Sequence, residues 1–268
     1  MRFYLFGDEN KPVILLLPGT CCTYKRNFGT VIPLLMEHFY VVCASYGGFD
    51  ETEDSIFIDM EHTLKEIEDY IKQNFQGAIF AAYGCSMGGS LVSLLVEREN
   101  VHINHAILGS SDMDQSGPLA ARLQGKIVSS MIYKIFQTGK LPGILQRRWD
   151  KKSLGQDPYY VQMFKMFGLG STDLRYVKKQ SIYNQFTSDL ITPVGMQIDV
   201  AGTQIHIFYA TKMGEKYEER YRAHFKHPDI RYHDYQHEEL LVCYPKEWAS
   251  QVCSCCDIEL NQSKEESL

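Results

Sequence analysis

The stretch Ala78-Ile79-Phe80-Ala81-Ala82-Tyr83-Gly84-Cys85-Ser86-Met87-Gly88-Gly89-Ser90 runs from an apolar segment into a Gly-x-Ser-x-Gly turn, and Leu91 to Val96 form a second apolar segment. The first segment reads as a buried strand and the second as a helix. Serine is a poor nucleophile at its ordinary pKa and needs a base and a particular geometry to react. The turn supplies the geometry: Gly84 and Gly88 let the chain reverse tightly from strand to helix, which lifts the Ser86 hydroxyl above the sheet edge. The helix N-terminus behind it offers free N–H groups to a developing oxyanion. Ser86 is the candidate nucleophile, and the alternative reading is a structural turn.

Outward from this turn, apolar runs alternate with helical patterns. Met1 to Phe6 reads as a short edge strand and Val13 to Leu17 as a strand buried on both faces. Val31, Leu34, Leu35 and His38 follow on a helical period, and Tyr40 to Ser45 is another buried strand. Glu51 to Phe75 reads as one long amphipathic helix, with Met60, Leu64, Ile67 and Ile71 on one face. His105 to Gly109, Gln204 to Ala210 and Ile230 to Tyr235 complete the strands, and Pro245 to Cys256 is a closing helix. This alternation predicts an α/β fold with a mostly parallel, doubly wound sheet. Residues 1–114 and 193–260 form its body, and 261–268 are a polar tail.

Residues 115–192 interrupt the alternation. Leu119, Leu123, Ile127, Met131 and Ile135 recur every four residues there, with Arg122, Lys126 and Lys134 off the stripe and Gly139 and Pro142-Gly143 breaking it. A further helical piece spans Tyr160 to Phe167. From Gly117 to Leu190 twelve basic side chains face four acidic ones, a net +8 that leaves −14 for the rest of a chain whose total is −6. One helical insert thus has the opposite sign from the body. Its positive balance would attract an anionic substrate; the alternative is a solvated face.

At 268 residues the chain can bury a full core. Val13 to Leu17 is too short an apolar run for a signal peptide or a membrane span, and a cytoplasmic protein with reduced thiols is expected. Cys43 and Cys85 read as small buried hydrophobes. Cys21-Cys22 and Cys253-Ser254-Cys255-Cys256 stand out, but a metal site would need a matching second pair, which the sequence lacks. No metal and no organic cofactor are expected. The expected partner is a small-molecule substrate, with neither nucleic acid nor membrane.

The order of these parts resembles the α/β-hydrolase family over nearly the whole chain. The resemblance is carried by the Leu17-Pro18-Gly19-Thr20 turn, the Gly84-Cys85-Ser86-Met87-Gly88 elbow and Gln236-His237-Glu238-Glu239-Leu240-Leu241 near the end. It places the insert where many members carry a helical lid, between the family's sixth and seventh strands. It implies that the base follows the last strand, which points to His237 among the nine histidines. His206 and His233 fall in or near strands, His224 and His227 in a charged helical region, and the others far from the elbow.

The same resemblance places one oxyanion N–H on Met87 and the other on Thr20 or Cys21. The triad acid departs from the pattern, because the position where it is sought falls near Met213. Asp112, after the family's sixth strand, is one candidate; Glu215 is a second, and a Ser–His dyad without an acid is a third. Asp114 reads as a helix cap. Cys21, Tyr24 and Tyr46 would border the pocket, though simple packing also accounts for the tyrosines. The expected activity is hydrolysis of an ester or thioester through an acyl-enzyme, of the carboxylesterase or thioesterase kind. Acyl transfer, carbon–carbon hydrolysis and a non-catalytic binding protein on the same fold are alternatives.

Overall fold

The computed structural model describes residues 1–141, 143, 146, 147 and 156–258. The tail expected at 261–268, Pro142, and Arg148, Lys151 and Lys152 of the basic insert lie outside the described residues. The strands are β1 (Arg2–Phe6), β2 (Val13–Leu17), β3 (Tyr40–Ser45), β4 (Ala78–Gly84), β5 (His102–Leu108), β6 (Gln204–Ala210) and β7 (Asp229–His233). They form one sheet in the order β1-β3-β2-β4-β5-β6-β7, and β1 alone pairs antiparallel, at the edge.

Helices cover both faces. α1 (Tyr24–Phe28), α2 (Ile32–Leu35), α9 (Glu239–Cys243) and α10 (Pro245–Cys255) lie on one; α3 (Met60–Phe75) and α4 (Met87–Arg98) lie on the other. The central β2 shows how the sequence builds both. Ile14 and Leu16 enter the core with Phe28 and Trp248, while Leu15 and Leu17 enter the core with Leu64, Ile67 and Leu91. Side chains alternate along a strand, so a strand between two helical layers must be apolar throughout.

The chain leaves β2 toward β3 on one side and returns as β4 on the other. Such a reversal opens a crevice at the carboxyl ends of the two strands. Leu17 pairs with Gly84 there, so the turn after β2 and the turn after β4 stand side by side.

α3 begins at Met60, so the chain from 51 to 59 is not helical as its apolar spacing suggested. Asp59 caps the helix, its carboxylate accepting the His62 N–H at 2.7 Å. Upstream, Asp50 Oδ1 accepts the Thr52 N–H at 2.9 Å and Ser55 Oγ accepts the Gly48 N–H at 2.8 Å. These local bonds offer the backbone an alternative to the helix.

Between β5 and β6 lie α5 (Pro118–Thr138), α6 (Pro158–Met166) and α7 (Lys179–Ile191), one place earlier than in the count carried over from the family. The stripe expected on α5 does not form one face. Leu119, Leu123 and Ile127 are exposed, while Ile135 is buried. An α-helix turns about 3.6 residues per cycle, so a strict four-residue step drifts about 40° each time. The buried face is instead Ala121, Gly125, Ser129, Ile132, Ile135 and Phe136. Its small residues let α7 approach closely: a Cβ on Gly125 would collide with Thr187.

The two ends of the insert meet. Ser116 N–H donates to Leu190 O at 2.9 Å, and Gln115 Nε2 donates to Thr192 O at 3.2 Å. Side chains fasten it to the body. Ser181 Oγ accepts the Phe57 N–H, Asn184 Nδ2 donates to Phe57 O, and Arg26 grips both oxygens of Asp173 at 2.6 and 2.8 Å. Among the described residues no helix is long and apolar enough to cross a membrane.

Candidate active site

Ser86 sits at the carboxyl end of β4 with φ 51° and ψ −115°, a backbone that side-chain-bearing residues rarely adopt. The surroundings enforce it. A Cβ on Gly84 would collide with Gly88 O, and a Cβ on Gly88 with Leu17 O. Gly19 packs beside Cys85 and Ser86. The Gly88 and Gly89 N–H groups donate to Cys85 O and Ser86 O at 2.7 Å, closing the turn into α4. Met87 is the first residue of α4, so its N–H lies outside the helix ladder, and no acceptor engages it among the described residues.

The turn after β2 can be accounted for group by group. The Gly19 N–H donates to Asn27 Oδ1 at 2.9 Å, and Tyr46 OH donates to Pro18 O at 3.0 Å. The Cys21 N–H donates to Gln185 Oε1 of α7 at 2.6 Å, and the Cys22 N–H to Gly19 O at 3.2 Å. Thr20 N–H has no acceptor among the described residues. Thr20 and Met87 therefore hold the two unclaimed amides beside the serine, while Cys21 has given its amide to the insert.

His237 follows β7 and is half-buried. Its carbonyl accepts Tyr159 OH of α6 at 3.0 Å. Its neighbour Glu238 is buried at 3% exposure in a left-handed backbone, φ 56°. Glu238 Oε1 accepts the N–H groups of Ser86 at 3.0 Å and Ser110 at 2.8 Å, and Oε2 accepts Tyr83 OH at 3.1 Å. Glu238 N–H returns a bond to Ser110 Oγ at 3.1 Å. Burial pushes Tyr83 well up, with Glu238's charge adding to it, so the phenol keeps its proton and donates. The histidine loop is thus bolted to the underside of the elbow. Sequence reasoning missed Glu238, whose one signal was its place next to His237. It also missed Asn27 and Gln185, which nothing in their own segments distinguished.

No hydrogen bond joins the His237 ring to Ser86, Asp112 or Glu215 among the described residues. Asp112 is half-buried after β5, and its Oδ1 accepts the Asp114 N–H at 3.2 Å. Asp114 pairs with Arg220 at 2.6 Å instead of capping α5, whose N-cap is Gly117. Glu215 is exposed at the start of α8 (Lys216–His224). Across from Asp112, on α7, the Asp189 carboxyl is pushed up to about 7 by burial and by the charge of Asp112, against the opposing hydrogen bond of Ser90.

The remaining expected residues are packed. Tyr24 stacks on Tyr4 with ring centroids 4.7 Å apart, and both line a cavity of about 180 Å³ with Arg26, Asp50, Asp173 and Tyr176. Tyr46 is fully buried, its hydroxyl spent on Pro18. Burial pushes the Cys22 thiol up to about 12 and that of Cys21 well above its ordinary value, so neither is a thiolate near neutral pH.

A family model described as the alpha/beta hydrolase fold matches residues 12–180, and the chain belongs to that family. Over 90 residues it is 32% identical to a 2-hydroxy-6-oxo-6-(2'-aminophenyl)hexa-2,4-dienoic acid hydrolase of Metapseudomonas resinovorans; the match spans 32% of this chain and 31% of that enzyme. An alpha/beta hydrolase family protein from Desulfitobacterium hafniense superposes with a TM-score of 0.75 at 13% identity, over 94% of this chain and 99% of its own. An esterase from Thermogutta terrifontis superposes with a TM-score of 0.69 at 16% identity, over 94% and 91%. At these identities the structures speak for the fold.

Two outcomes follow from the carboxyls of Glu238 and Asp189. Glu238→Ala leaves the donors of Ser86, Ser110 and Tyr83 without their acceptor, at about 1–3 kcal/mol each. Urea unfolding should show a loss of at least about 3 kcal/mol, and Glu238→Gln, which keeps an acceptor, a smaller one. Asp189 titrates near 7 when folded, against 3.8 for an ordinary aspartate. Between those values the unfolded chain has lost a proton that the folded chain keeps, so this group's contribution to stability falls as pH rises through the window and is level above it. Asp189→Asn should therefore be more stable than the parent at about pH 8, with the difference shrinking toward about pH 4 in thermal unfolding.

Proposed function

We propose that the chain is a serine hydrolase that cleaves a carboxylic ester or thioester through an acyl-enzyme. The observation that carries this reading is the strained Ser86 backbone beside the two unclaimed amides of Thr20 and Met87. Donors fixed in place before reaction stabilise an oxyanion without reorganising. In this reading Ser86 Oγ attacks the carbonyl carbon while His237 takes the hydroxyl proton. The carbonyl oxygen, now an oxyanion, lies on Thr20 and Met87 N–H. His237 then gives its proton to the leaving alcohol or thiol, and a water activated by the same imidazole releases the acid.

Asp112 is the acid in this reading. Its half-buried position after β5 supports it over Glu215, which is exposed on the outer end of α8. Its task is to hold the tautomer of His237 and stabilise the imidazolium, which requires the ring and the carboxylate to close when substrate is bound. The insert serves as a lid that shapes the pocket. The anionic preference rests on its positive balance of charge.

A second reading, carbon–carbon hydrolysis of a keto acid, is favoured by the name of the Metapseudomonas resinovorans relative. That substrate is a carboxylic acid, which suits a basic insert. The same nucleophile and oxyanion donors serve both reactions, so substrate decides between them.

A fluorophosphonate probe should label the wild-type protein and fail on Ser86→Ala; an unlabelled wild type would return the chain to a non-catalytic binding protein. A panel of esters, thioesters, amides and a vinylogous keto acid, each neutral and anionic form read at low and high salt, then separates the two hydrolytic readings. On the best substrate Asp112→Asn should lower kcat by roughly 10²–10⁴-fold, with Glu215→Gln near wild type. Equal effects of the two substitutions reject Asp112 as the acid.

A further inference from the structure

The cysteine cluster near the C-terminus acquires partners that no local spacing could show. Cys255 is the last residue of α10 and is buried at 2% exposure. Its Sγ, a ring nitrogen of His206 and a carboxylate oxygen of Asp229 all lie within 4.8 Å of one another. His206 and Asp229 are register partners on β6 and β7, near the amino ends of these strands and at the opposite end of the sheet from Ser86. We propose that His206, Asp229 and Cys255 form a binding site for a thiophilic divalent cation, zinc(II) being the ion whose chemistry fits.

The donor set argues for this ion. Thiolate, imidazole and carboxylate together suit zinc, which takes four ligands in a tetrahedron. The edges of such a tetrahedron are about 3.3–3.6 Å, so three donors already within 4.8 Å need to draw in by about an ångström. One thiolate and one carboxylate neutralise the ion's two charges, and the imidazole ligates as the neutral base. On binding, the cation takes the place of the proton between His206 Nδ1 and Asp229 Oδ2, now 2.9 Å apart; His206 carries that proton on Nε2 instead, and the Cys255 thiol proton leaves to solvent.

The surroundings hold the ligands as such sites require. His206 Nε2 faces His105 Nδ1 at 3.3 Å, so a His206 bound through Nδ1 would donate its other N–H to a fixed acceptor. Arg231 Nε donates to the same Asp229 Oδ2 at 3.0 Å and orients the carboxylate. The carboxyl end of α10 adds negative potential at Cys255. Asp229 is half exposed, which gives the ion an entry path and the fourth position a water. The site would tie β6, β7 and the closing helix together.

Cobalt(II) titration of the reduced full-length chain tests the assignment, since cobalt takes tetrahedral zinc sites and reports a bound thiolate by a charge-transfer band in the near ultraviolet. The expected result is one cobalt per chain with that band, displaced by zinc, and a zinc-dependent rise in Tm. Cys255→Ser should abolish the band and Asp229→Asn should weaken zinc binding at least about 10-fold, while Cys256→Ser keeps both. Asp229 is a surface residue, so its variant remains informative if Cys255→Ser folds poorly, and circular dichroism checks both. A cobalt complex without the thiolate band, a band that survives in Cys255→Ser, or zinc binding unchanged in Asp229→Asn overturns the proposal.

Discussion

The Glu238 carboxylate beneath the elbow is the constraint on which the arrangement of the site rests. A buried charge is tolerated only when donors surround it. Here the donors come from three segments: Ser86 after β4, Ser110 after β5, and Tyr83 within β4. One side chain therefore sets the distance between the serine's loop and the histidine's loop. It also helps to pin the Ser86 backbone at a positive φ, since the amide that it holds is that of the strained residue itself. The glycines make the conformation possible, and Glu238 makes the alternatives costly.

A second constraint acts from above. Asn27 and Tyr46 fix the turn after β2 from the body, and Gln185 fixes it from the insert. The Thr20 amide stands free between the engaged N–H groups of Gly19 and Cys21. Gln185 also presents a buried Nε2 without a partner among the described residues, beside an oxygen that occupies an amide as a carbonyl would. One turn further along α7, the Asp189 carboxyl is within reach of the charge of Asp112. A single helix thus carries polar groups to both the turn after β2 and the acid candidate.

Much of this was legible in the chain. The buried strands declare themselves as apolar runs, and the Ser86 turn by its glycines, because both depend on neighbours in sequence. The face of α3 was read correctly from Met60, Leu64, Ile67 and Ile71. Its start was not, since the capping of Asp59 and the turn bonds of Asp50 and Ser55 compete with a pattern that looks only at apolar spacing. The stripe on α5 misled because a four-residue step winds around a 3.6-residue helix. Glu238, Gln185 and the cluster of His206, Asp229 and Cys255 were out of reach for one reason. Their partners lie far along the chain, and each segment alone reads as an ordinary loop, helix or strand.

The insert enters and leaves the body at a single point, where Ser116 meets Leu190 and Gln115 meets Thr192. Among the described residues it adds no strand to the sheet, and side chains fasten it to α1 and to loops of the body. Its ends would stay together whatever length of helix lay between them. In evolutionary terms it is a cassette: residues 117–190 can be lengthened, shortened or exchanged without disturbing the register of β5 against β6. On the proposed reading, selection for a new substrate would act on the insert while the elbow and its buried carboxylate are inherited unchanged.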